Sequence, residues 1–146
     1  MRKLILLWLL ACVAAPAWAR QQQTTAYHAL RTVARQLDRA ALNRVISVTG
    51  VNGDPQPTAW TILLADRSVA GGIREVQVAN GRIVSNGAPR GGVVGSAQSA
   101  MFAANRLNLD SSGAFSVASY TANTSHVNFD SASYTLRTNE RGVPFW

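Results

Sequence analysis

Apolar and polar positions follow different rhythms in different parts of the chain. Ala26, Tyr27, Leu30, Ala34, Leu37 and Ala41 recur at helical spacing, with Arg31, Arg35, Gln36, Asp38 and Arg39 on the other side. That period predicts an amphipathic helix of about four to five turns. Thr24 or Thr25 can cap it, since a threonine hydroxyl accepts a bond from a free first-turn amide. The rhythm then changes. Val45–Val51 is rich in β-branched residues and partly alternating, residues 52–57 (Asn-Gly-Asp-Pro-Gln-Pro) form a concentrated turn, and Ala59–Leu64 resumes extended character. This reads as a β-hairpin with a loop longer than two residues. Past Gly71 and Gly72, Ile73–Val78 is a further strand, and Asn80-Gly81 turns it into Arg82–Val84. Asn-Gly suits the positive φ angles of a type I′ turn.

The second half is read with the same rules. Residues 87–95 are rich in Gly and Pro and form a hinge, after which Ser96 can cap a helix running to about Leu107. Ala114–Thr121 and Ser133–Thr138 have strand composition, separated by the polar stretch Ala122–Asp130. The expected fold class is therefore α+β, a helix packed on an antiparallel meander sheet. The chain divides into two helix-plus-strands units, near residues 24–86 and 93–146, the second incomplete. A weak internal echo supports this. Val48–Trp60 and Leu136–Trp146 each run from an extended segment through a polar, Gly-containing turn to Pro and an aromatic end.

The first residues follow a third pattern. Arg2 and Lys3 precede the apolar stretch Leu4–Leu10, and Ala17-Trp18-Ala19 is a small-x-small site. This is the layout of a bacterial secretory signal peptide over residues 1–19, cleaved after Ala19 to leave a single domain at 20–146. The protein is then periplasmic or secreted. Leu9-Leu10-Ala11-Cys12 resembles a lipobox, so the alternative is a lipoprotein anchored to the membrane at Cys12. Cleavage at Ala19 leaves a chain without cysteine, whose core alone must stabilise it.

Composition narrows the class further. With 47% hydrophobic residues, one Cys among 146 residues and no heptad run, the chain is not a coiled coil, a collagen or a disulfide scaffold. Beyond residue 19 it carries 12 arginines against 7 acidic residues, a net charge of +5. The arginines are spread along the chain, and only Arg31, Arg35 and Arg39 form a row. Aromatics are not interleaved with them, so a solvated helix face is expected and nucleic acid is not expected as a partner.

A helix followed by a three-stranded antiparallel meander, occurring twice, resembles the PepSY and PepSY-like domains of secreted bacterial proteins, with their cystatin-like helix on a curled sheet. The residues that carry the resemblance are the helix Tyr27–Ala41, the Trp60 strand, and Glu75–Val84 with its Gly turn. The Asp often found ahead of that Gly is replaced by Ala79-Asn80. The resemblance implies a non-catalytic module that binds or inhibits an envelope protein or peptide, and it supplies no catalytic residues.

The chemistry-bearing residues point the same way. His28 and His126 are far apart and lack the neighbouring ligands that a metal site needs. Ser125, His126 and Asp130 have the residue types of a triad, but a triad is defined by geometry and not by adjacency. Asp38 lies between Arg35 and Arg39, which suggests local pairing, and Asp54 precedes Pro55 in a turn. Residues 89–96 lack the endings of a nucleotide loop. No catalytic, cofactor or metal residue is assigned, and no cofactor is expected. Two alternatives remain. One is a small pocket enzyme or ligand-binder of ketosteroid-isomerase-like cone fold, with Tyr27, His28, Trp60 or Asp66 lining the pocket. The other is a truncated product without independent function, since Phe145-Trp146 resembles the opening of a strand. A sheet ending there has an open edge, which implies self-association or acceptance of a partner strand.

Overall fold

The structure, a computed structural model, describes residues 23–91 and 101–146. The leader, Cys12 and the helix start at Ser96 lie outside these residues. The fold is α+β: helices α1 (Ala26–Gln36) and α2 (Ser111–Thr124) accompany six strands. The strands are β1 (Val45–Gly53), β2 (Ala59–Ala65), β3 (Ile73–Ala79), β4 (Arg82–Gly87), β5 (Ala132–Thr138) and β6 (Pro144–Phe145). They form one antiparallel sheet in the order β4-β3-β2-β1-β5-β6. The first four are a meander, and the second hairpin joins it through β1, where Val48 faces Leu136 and Gly50 faces Tyr134.

The core lies on one face, where alternate residues of successive strands form rows. Leu136, Val48, Ile62 and Val76 face one another across β5, β1, β2 and β3, and all four are buried. The next row holds Tyr134, Gly50 and the buried pair Trp60 and Val78. Gly50 is required there by space. A Cβ at that position would lie 2.6 Å from the Pro57 ring and 2.9 Å from the indole of Trp60. At the β3–β4 turn, Asn80 and Gly81 have φ angles of 51° and 69°, as the sequence predicts.

Helix α1 covers β2–β4 with Ala26, Ala29, Leu30 and Val33, all buried. It ends earlier than its periodicity predicts. Asp38 is extended, and its carboxylate accepts the Ala40 amide at 2.9 Å, starting a separate 3-10 turn over Arg39–Asn43. A short acidic side chain that bonds its own backbone competes with helix continuation, and here it wins. Arg39 therefore leaves the row of Arg31 and Arg35, and Asp38 pairs with Arg44 at 3.3 Å. Gln36, expected on the solvent side, reaches β4: its Oε1 accepts the Ile83 amide and its Nε2 donates to Gly81 O.

The second helix lies elsewhere than its periodicity predicts. In the described part of the expected helix, Phe102 forms a two-bond bridge with Val45, and only Ala104–Arg106 makes a 3-10 turn. The helix instead spans Ser111–Thr124, replacing the strand expected over Ala114–Thr121. Two local features explain the change. Asp110 caps the first turn by accepting the Ser111 amide. The hydroxyls of Ser116, Thr121 and Thr124 donate to carbonyls four residues back, so these residues are satisfied inside a helix. Among the described residues, no helix is long and apolar enough to cross a membrane.

Candidate functional site

The two helices begin side by side. The first amides of a helix lack partners within it, and the start of α2 supplies those of α1. Ala26 N–H donates to Ser111 Oγ at 3.0 Å, and Tyr27 N–H donates to Asp110 Oδ1 at 3.0 Å. Thr25 Oγ1 takes the third, from His28. The buried Ser111 hydroxyl then donates to Gln56 Oε1 at 2.6 Å, Gln56 Nε2 donates to the Tyr134 hydroxyl at 3.4 Å, and Tyr134 donates to Pro55 O. Trp60 Nε1 donates to Thr24 O at 2.6 Å, and Tyr27 OH donates to Leu107 O at 2.7 Å. Burial and, secondarily, the Asp110 carboxylate push the Tyr27 hydroxyl above its ordinary pKa; burial alone pushes up that of Tyr134. This network fastens both helix starts to the β1–β2 loop, and beside it the buried Thr24 Oγ1 has no hydrogen-bond partner among the described residues.

Beyond the network, α2 stands away from the sheet. A cleft of about 520 Å³ separates it from β5 and β6. Leu109 and Phe115 line one side, and Leu136, Pro144 and Trp146 line the other. Tyr134 and Trp146 line it, and behind them the buried Trp60 completes an aromatic cluster whose ring centroids are 5.7 to 6.2 Å apart. Trp146 Nε1 is directed at Leu109 O, 2.8 Å away, and so ties β6 to the segment ahead of α2. Phe115 is propped by an edge contact with Phe129. Around the mouth, Val117, Leu109 and Phe145 are exposed.

The residues named from the sequence do not gather at this cleft. His28 is exposed on α1, and Ser125, His126 and Asp130 are exposed on the segment after α2. Tyr27 and Trp60 serve the network through their polar atoms. Asp66 lies past the end of β2, where its carboxylate accepts Ser68 Oγ at 2.7 Å and Arg74 Nε at 2.6 Å. The Ser68 hydroxyl, then Arg74, hold that carboxyl well below the usual range. Among the described residues, no three His, Cys, Asp or Glu groups are placed to hold a metal ion.

The sequence reading missed Leu109, Phe115 and Tyr134 as lining residues. The signal was the Asp110-Ser111 cap followed by Phe115 and Ala118 at helical spacing, which places an apolar edge on α2. Trp60 and Trp146, the matched ends of the internal echo, meet in space at 6.2 Å. Comparison with protein-family models, with curated proteins and with solved structures gave no match for this chain.

Proposed function

We propose that the chain is an exported, non-catalytic binding module of the cell envelope, and that the cleft between α2 and the β5–β6 hairpin is its binding site. The observation that carries this reading is the chemistry of the cleft wall. Leu109, Phe115, Leu136 and Trp146 offer apolar surface, and two polar atoms of the lining, Tyr134 OH and Trp146 Nε1, are directed at backbone carbonyls. An apolar pocket of several hundred Å³ is the usual form of a binding site, and a catalytic one adds titratable groups that converge on it. The order of one helix and a meander, then a second helix and a hairpin, supports the PepSY-like resemblance. The leader at residues 1–19 supports export.

A neutral fluorescent probe, N-phenyl-1-naphthylamine, tests the site. The mature protein should enhance its emission saturably, and Ala118→Arg, which places a long cation in the cleft from the exposed side of α2, should weaken binding at least tenfold with the circular dichroism spectrum unchanged. Absence of binding, or binding that ignores Ala118→Arg, would remove the cleft as the site. Mass analysis of the exported product should find Arg20 at its N-terminus.

A further inference from the structure

Among the described residues, the cleft is bounded by a sheet edge that β6 covers only in part. Strand β5 has seven residues, and on its β1 side they are paired along most of their length. On the other side, β6 reaches only Arg137 and Thr138. Among the described residues, no strand lies against Ala132–Thr135 on that side. The direction of the backbone groups there follows from the turn. Asn139 N–H donates to Val143 O at 3.0 Å, toward β6. Successive residues of a strand alternate, so Arg137, Thr135 and Ser133 present their N–H and C=O groups to the same side. Thr135 and Ser133 both border the cleft. Four backbone hydrogen-bonding groups thus stand beside an apolar slot.

We infer that the occupant of the cleft is an extended segment of a partner polypeptide, added to β5 as a short antiparallel strand beside β6. The inference rests on the cleft being the binding site. An extended chain is the one ligand class that answers both features together. Its amides and carbonyls continue the ladder that β6 begins, and alternate side chains enter the slot between Phe115, Leu109 and Trp146. Residues facing the slot are apolar, and those on the opposite face, beside Ser133 and Thr135, are polar. The remaining open edge of the same sheet is a poor occupant. Strand β4 lies under α1, and Gln36 takes the Ile83 amide.

The experiment uses a capped peptide of alternating Thr and Val, and the same peptide N-methylated on the amides that would face β5. Methylation keeps the side chains and removes the ladder donors. The parent peptide should displace the naphthylamine probe, slow amide hydrogen exchange at Ser133 and Thr135 at least tenfold, and lose at least tenfold in affinity on methylation. Thr135→Pro removes an N–H from the open side only, a change tolerated on sheet edges. It should abolish peptide binding with the circular dichroism spectrum unchanged. Equal binding of both peptides, or probe binding without peptide binding, would overturn the strand and leave the cleft as the site. Failure of probe and peptide alike would overturn both. Protection of Ser133 and Thr135 that grows with protein concentration in the absence of peptide would make the occupant a second copy, contrary to the inference.

Discussion

Helices α1 and α2 accompany the same sheet, and they meet it in different ways. Helix α1 is held by its apolar stripe: Ala26, Ala29, Leu30 and Val33 are all buried, and Leu30 is 3% exposed. Helix α2 has 14 residues against 11, yet Ser111 alone is buried, while Val117 is 60% and Tyr120 72% exposed. One helix is docked along its length and the other is moored at its start. A helix packed along its length closes its half of the sheet. A helix fixed at one end by hydrogen bonds leaves room beneath the rest, and that room is the cleft. The position of the cleft thus follows from where α2 lacks a continuous apolar stripe.

The largest expected effect comes from cutting equivalent apolar groups on the two helices. Leu30→Ala should cost about 2–5 kcal/mol of unfolding free energy, the range for truncating a buried leucine. Val117→Ala should stay within about 0.5 kcal/mol, as for an exposed site. Denaturant unfolding of both variants measures the contrast, and similar losses would show that α2 is docked as α1 is. Next is the mooring. Ser111→Ala leaves the Ala26 amide without its acceptor and Gln56 Oε1 without its donor, and should cost about 1–3 kcal/mol. Because that hydroxyl joins the two helix starts, the loss should appear in both halves when followed by amide exchange.

The two helices also differ in how far the sequence discloses them. The pattern from Ala26 to Leu37 identifies α1 because side-chain burial fixes that helix, and burial writes a period into the sequence. Its end is not written in that period, because Asp38 acts through a bond to its own backbone, which periodicity does not register. For α2 the period is weak, since the helix faces solvent on most sides. Its Ser and Thr residues look strand-like until their hydroxyls are seen bonding back along the helix. The strands of the meander and Ser133–Thr138 were legible from alternation and from the turns at 52–57 and Asn80-Gly81. The cleft was not, since it is space left between Phe115 and Trp146, residues about thirty positions apart whose approach depends on β1 pairing with β5.

A smaller effect separates the far end of β2 from the cleft. The Asp66 carboxyl is held below its unfolded value by Ser68 and Arg74, so its ionised form is favoured in the folded state. That contribution is present above the unfolded carboxylate pKa, near 4, and is lost as pH falls below it toward the lower folded value. Asp66→Asn should therefore reduce stability slightly at neutral pH and flatten the acid limb of the pH–stability curve. Probe binding at the cleft should be unchanged, because Asp66 does not line it. A change in probe affinity would mean that the two regions are coupled.

The central claim is that one half of the sheet is closed by its helix and the other holds the binding site. Amide chemical-shift mapping of the mature protein saturated with N-phenyl-1-naphthylamine tests it most directly. The account predicts perturbations confined to Leu107–Ala118 and Ala132–Trp146, with Leu30, Val33, Ile62 and Val76 unmoved. Perturbations centred on α1 and β2–β4, or spread evenly over both halves, would contradict it.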